Sequence, residues 1–432
     1  MPETADLLIE PRWILPMDGP GRILTGHALA VANGRILDIL PQADAARVHP
    51  HAARISRPSH LLMPGLIDPH VRASAFPARV EDGHRAGTAR GSLDRQGLNL
   101  PTARDAMLLA IARMIRGGIT CFADMGFSPD ETALIAAEQG IRARAGLPVS
   151  GCPSTWARDP AEYLSKALRV RDEFKGHPRV DFAFVPCLSG GTSDEALERV
   201  RTLADELDAP VALTLHESPT AVDASLNMHG ERPIQRLERL GLLSPSLNAI
   251  HMTQVCPADV ELARQCRINI TLCPASSLAS ISGGAPVRRW LQSGLPIALG
   301  TEGPPANHGH DLWQEMRLAA GLAAAPADDG AMPLPEWEAL ALVTRGAAQA
   351  LGLADRIGTL ESGKWADLCC VDFSRPALEP VHDPVGQLVH QGGRDTISDV
   401  WVAGRPLLES GELTRLDWPS LLERAGEWLR KA

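Results

Sequence analysis

Apolar residues along this chain follow two rhythms. Through the middle, near-continuous apolar runs recur: LLMPGLIDPHV, GITCFADM, IRARAGLPV, VDFAFVPCL, PVALTLHE, LNAIHMTQV, INITLCPA and LPIALGTEG. Short runs of this kind predict buried strands. Between them, RDAMLLAIARMI, AEYLSKALRVRDEF, DEALERVRTLADEL and ADVELARQC place apolar residues three or four apart, which predicts helices with one buried face. Eight strand–helix units predict an α/β fold, a (β/α)8 barrel over residues 61–360. The competing open sheet would carry G-x-G-x-x-G after its first strand, and the chain has no such motif there.

The two ends alternate on a shorter beat. HALAVANGRILDIL sets Asn33-Gly34 between two apolar runs, a strong hairpin signal. ADLCCVDF and ISDVWVAGRPLLESGEL, with Gly404 at a turn, have the same texture near the C-terminus. Residues 1–60 and 361–432 are therefore expected to build one small composite β-sandwich domain. Cys369-Cys370 should fill one of its strands, and Trp365 and Trp401 its core.

Composition narrows the function. Hydrophobic residues make up 44% and charged residues 22% of the 432, the balance of a folded globular protein. Forty-two basic against 52 acidic side chains leave a net charge of −10, which argues against a nucleic-acid partner. No run approaches the roughly 18 apolar residues of a membrane span. The start, MPETADLLIEPRW, lacks the basic-then-apolar layout of a signal peptide, so the cytoplasm is the expected compartment. Eight cysteines without a C-x-x-C pair indicate neither a disulfide framework nor a structural zinc site.

In a barrel, chemistry gathers at the carboxyl ends of the strands. Those ends carry His70, Arg72, Asp124, Cys187, Thr214, His216, Glu217, His251 and Glu302. Each alone is an ordinary hydrogen-bonded strand end, and Asp124 reads as a helix cap. Together they mark a pocket, to which Asn307 and His308 of the segment after the eighth strand are added.

Pro64-Gly65-Leu66-Ile67-Asp68-Pro69-His70-Val71-Arg72 resembles the P-G-L-[IV]-[ND]-x-H-x-H opening of the amidohydrolase superfamily. His251-Met252-Thr253, Cys273-Pro274, Leu299-Gly300-Thr301-Glu302-Gly303, Glu315-Met316-Arg317 and Ile357 through Leu368 are similar to later landmarks of its ATZ/TRZ branch. The likeness spans the whole chain and is greatest to the 5-methylthioadenosine/S-adenosylhomocysteine deaminase group. It implies hydrolytic deamination or dechlorination of a nitrogen heterocycle, an aminopurine or a triazine. It also implies one zinc or iron ion held by both histidines of H-x-H, by histidines on strands five and six and by an aspartate on strand eight. A strand-five glutamate moves the proton.

Position by position, His70 and His251 match ligands and Glu217 matches the proton-moving glutamate. Arg72, Thr214 and Glu302 occupy the other three ligand positions. Cys187 stands where relatives place a substrate-touching histidine, and Leu272 replaces another histidine. The stretch ASAFPARVEDGHRAGTARGSLDRQGLNLP does not resemble the aromatic substrate lid. A lysine for a two-metal variant is missing from VDFAFVPCLSG.

A guanidinium cannot donate a lone pair. At about 4–5 Å from a dication its repulsion costs several kcal/mol, even at an effective dielectric near 20. The reading that follows is a metal-poor protein with lost or altered catalysis, no cofactor, and an Arg72–Glu302 pair across the vacated pocket. The alternative is an active hydrolase whose zinc or iron sits on His70, His251 and Glu302, joined by His308 or His310, with Glu217 as acid–base. Either way the expected partner is a small heterocyclic ligand, and the resemblance implies a homodimer.

Overall fold

The computed structural model describes residues 4–73, 100–280, 283–304, 306–307, 309–324 and 333–431. Five strands open the chain: β1 (Leu7–Ile14), β2 (Leu24–Thr25), β3 (His27–Ala32), β4 (Arg35–Pro41) and β5 (Ala53–Pro64). Asn33 and Gly34 take φ of 53° and 77°, the left-handed pair that a two-residue hairpin needs, and they fold β4 antiparallel onto β3.

From β5 the chain passes through Gly65 into the barrel. A Cβ at Gly65 would lie 2.1 Å from the Thr120 side chain, so only glycine fits this crossing. The barrel strands are β6 (Leu66–Val71), β7 (Ile119–Asp124), β8 (Arg142–Val149), β9 (Val180–Pro186), β10 (Val211–Leu215), β11 (Leu247–His251), β12 (Asn269–Leu272) and β13 (Ile297–Leu299). Each pairs in parallel with the next. The ring closes at its mouth, where Val71 bridges to Glu302 and the Glu302 N–H donates to the His70 carbonyl. These strands are buried almost throughout because helices cover the outside and side chains fill the inside.

The four expected helices form over Leu100–Arg116, Pro160–Glu173, Asp194–Leu207 and Pro257–Cys266. Asp159, Ser193 and Ser218 cap helices by accepting from the N–H of Glu162, Ala196 and Ala221. Gly140, Gly230 and Gly294 end others in the left-handed conformation. In Asp194–Leu207, Ala196, Leu197, Val200, Leu203 and Ala204 form the buried stripe. One apolar core runs between barrel and helices and includes Phe122, Trp290 and Trp313. Both indoles satisfy their N–H inside it, Trp290 on the Met252 carbonyl and Trp313 on that of Gly117, each at 3.0 Å.

The chain then adds β14 (Leu368–Asp372), β15 (Ile397–Val402), β16 (Arg405–Glu409) and β17 (Glu412–Leu413). These join the N-terminal strands in one nine-stranded sheet, ordered β17-β16-β15-β14-β5-β1-β3-β4 with β2 on β1. Cys369 and Cys370 are buried in β14, and Trp401 is in the core of the sheet. Trp365 is only half-buried, with the Arg35 guanidinium 3.9 Å over its ring. Among the described residues, no helix is long and apolar enough to cross a membrane.

Candidate active site

The strand ends turn sharply into their loops, and several non-glycine residues there are left-handed: His216 (φ 50°), His251 (74°), Met252 (45°), Glu302 (57°) and His310 (49°). Such backbone costs of order 1–3 kcal/mol per residue and persists only where the surroundings hold it. Of these, His251 and Glu302 belong to the donor groups described next.

His70 and His251 are both buried and meet edge-on, ring centroids 5.9 Å apart. His70 Nδ1 faces Met125 Sδ at 3.0 Å. The Nε2 of His251 is buried without a hydrogen-bond partner. Cys273, one residue past β12, is fully buried. Ligand atoms of His70, His251 and Cys273 lie within 4.8 Å of one another. So do those of Glu217, His251 and Glu302. His251 is common to both groups, so two sets of potential donors adjoin at its imidazole.

Further acids lie close by. Asp68 accepts from the N–H groups of His70 and Thr301, each at 3.2 Å, and from the Thr301 hydroxyl at 2.6 Å, tying the first barrel strand to the last. Burial nevertheless pushes its carboxyl up to about 7. Glu315 accepts from Ala275 N–H at 2.9 Å and from Asn307 Nδ2 at 2.7 Å, and burial raises it to about 8. Burial lifts the Cys273 thiol well above its ordinary range, and Glu302, Glu315, Asp68 and Glu217 add to this. A field of this sign favours a cation.

The donor chemistry fits one. Zinc takes imidazole nitrogen, thiolate sulfur and carboxylate oxygen, commonly four in all. The orphaned His251 Nε2 is the kind of buried atom that coordination satisfies. The sequence reading of an empty pocket counted inherited positions only and left out Cys273.

Several expected roles do not survive folding. The Arg72 N–H donates to the Glu302 carbonyl, and a Glu302 carboxylate oxygen lies within 4.8 Å of donor atoms of His251 and Glu217. His216 is not a pocket residue. Ile234 N–H donates to its Nε2 at 3.2 Å, so the proton sits on Nδ1, which donates to the Gln254 carbonyl at 3.0 Å. Burial lowers its pKa to about 4 and keeps it neutral. Asn307 is also committed to protein: its amide donates to Glu315 and to the Asp311 carbonyl, while its oxygen accepts from Asp311 N–H.

His310 is buried with Nδ1 at 3.3 Å from the Thr301 hydroxyl, apart from the donor groups, and burial lowers it to about 3. Asp124 accepts from Thr132 Oγ1 at 2.6 Å and Ala73 N–H at 3.0 Å, binding the helix Pro129–Gln139 to the first strand. Cys187 is half-buried, its sulfur 3.5 Å from Ser189 Oγ. Thr214 is half-buried in β10. His308 and the 74–99 stretch, where the lid was sought, lie outside the described residues.

Cys273 and Glu315 were missed as contributors to the mouth. Cys273 had a legible signal, since it directly follows the seventh barrel strand. Glu315 stood out only within the Glu315-Met316-Arg317 landmark, because an acid in the first turn of a helix otherwise reads as solvated. A cavity of about 420 Å³, lined by Arg144, Asp181, Phe182 and Arg356 among others, lies at the opposite end of the barrel and shares nothing with these donors.

Comparison with known proteins bears on this pocket. A family model described as the amidohydrolase family matches residues 61–407. A 5-methylthioadenosine/S-adenosylhomocysteine deaminase from Teredinibacter turnerae is 35% identical over 99% of this chain and 98% of its own. The Saccharophagus degradans protein of the same name is 33% identical over 98% and 96%. An adenosine deaminase from Xanthomonas campestris, solved with bound zinc, superposes with a TM-score of 0.94 at 36% identity, covering 100% of this chain and 99% of the other. An atrazine chlorohydrolase from Arthrobacter aurescens, at 24% identity and a TM-score of 0.88 over 98% and 99%, shares the fold.

Proposed function

Because the chain belongs to the amidohydrolase family, whose deaminase-type members act on C–N bonds, we propose that it is a hydrolytic deaminase of an aminopurine nucleoside with an altered cation site. The observation that carries this reading is the convergence of Glu217, His251 and Glu302, with ligand atoms within 4.8 Å of one another. His70, His251 and Glu302 would hold a zinc-like ion. Such an ion makes bound water a strong nucleophile near neutral pH.

The remaining chemistry belongs to the side chains. Glu217 takes the proton from the attacking water and returns it to the heterocycle as the amine departs. The Thr253 hydroxyl donates to the Glu217 carbonyl at 2.8 Å and fixes that residue beside the axis.

The test is ammonia release from 5′-methylthioadenosine, S-adenosylhomocysteine and adenosine by the zinc-supplemented chain. Glu217→Gln should lower the rate by roughly 10²–10⁴-fold. No ammonia from any of the three, or an unchanged rate in the variant, contradicts the reading.

A second reading, lost catalysis with retained ligand binding, is favoured by Arg72 and Thr214, two positions that supply no nitrogen ligand. It predicts calorimetric binding of the same nucleosides without ammonia.

A further inference from the structure

We propose that Cys273 is a direct thiolate ligand of the cation at the barrel mouth, completing a two-histidine, one-cysteine site with His70 and His251. The inference rests on the cation-binding reading above and assigns one of its bonds.

Three observations on separate strands support it. Cys273 follows β12, His251 ends β11 and His70 lies in β6, yet their ligand atoms lie within 4.8 Å of one another and all three residues are buried. With Zn–S near 2.3 Å and Zn–N near 2.0–2.1 Å, donors in a tetrahedral site sit roughly 3.3–3.6 Å apart, so modest side-chain rotation closes this set. His251 Nε2 is buried and without a hydrogen-bond partner, a polar atom that coordination would satisfy.

The His70 ring is oriented by Met125 at its other nitrogen, as an imidazole ligand is when an outer partner fixes it. Charge adds a further reason. Arg72, two residues beyond His70, carries a permanent positive charge, and an anionic thiolate offsets such a charge where a neutral donor does not. The Glu302 carboxylate, with its oxygen within 4.8 Å of a His251 nitrogen, remains for a fourth position, and Glu217 keeps its proton-transfer role.

Cobalt(II) alone is the probe, added to the metal-stripped full-length chain. The expected result is about one cobalt per chain with an intense sulfur-to-cobalt charge-transfer band. Cys273→Ser should abolish that band and weaken binding by more than the ~10–100-fold that loss of an outer partner costs. X-ray absorption of the zinc-loaded wild type should show a sulfur neighbour at about 2.3 Å, a readout that needs no variant. Binding with only nitrogen and oxygen neighbours overturns the cysteine assignment and leaves the cation site standing. No binding at all overturns both.

Discussion

The two ends of the barrel handle buried charge in opposite ways. At the base, Arg142 is held by Asp367 through two hydrogen bonds of 2.7 and 3.1 Å, and Arg144 by Asp181 through two of 2.8 and 2.7 Å. At the mouth, Asp68, Glu302, Glu315 and Cys273 crowd together, and three of them are held above their ordinary pKa values. The base neutralises its charges within the fold. The mouth keeps an excess of acid, backbone in left-handed conformations and an unsatisfied imidazole. Low dielectric stabilises the first arrangement and makes the second receptive to a cation. The contrast matches the division of a barrel into a stabilising end and a chemical end.

The largest expected effect is at the base. Asp367→Ala leaves Arg142 buried without its carboxylate and should cost about 3–5 kcal/mol, measured by urea unfolding, with cation binding unchanged. An equal loss of cation affinity would erase the distinction between the two ends.

Close behind is a pH effect at the mouth. The Glu315 carboxyl keeps its proton to about pH 8 in the fold but releases it near 4.5 when unfolded. Its favourable contribution is therefore complete below the unfolded value and lost as pH rises to about 8. At 1.36 kcal/mol per pH unit the whole window corresponds to at most about 5 kcal/mol. Glu315→Gln should flatten the stability profile of the metal-free chain across that window; an unchanged slope would place the acidic excess elsewhere.

The smallest effect lies in the terminal sheet. Gly34 has φ 77°, and a Cβ there would stand 2.5 Å from the Ala403 carbonyl oxygen. Gly34→Ala should cost about 1–2 kcal/mol in unfolding and leave the mouth untouched.

Much of this fold was legible in the chain. The barrel strands and the four named helices announce themselves by periodicity, and Asn33-Gly34 specifies its own turn, because those signals are local. The site was harder to read. His216 looked like a pocket residue until Ile234 and Gln254, 18 and 38 residues away, took both its nitrogens. Asn307 was claimed by Glu315 and Asp311. Arg72 drew attention as a charge that repels a cation, while Cys273, a donor that attracts one, passed as a family landmark. Residue type shows what a side chain can do; only the three-dimensional neighbourhood shows which of its atoms are already in use.

Zinc-dependent thermal and chemical unfolding of the wild type and His251→Ala tests the contrast most directly. With free zinc at a hundred times its dissociation constant, the wild type should gain about 2.7 kcal/mol, and the variant, lacking the donor common to both groups, should gain none. A wild type indifferent to zinc, or an equal gain in the two proteins, would contradict a cation site at the barrel mouth.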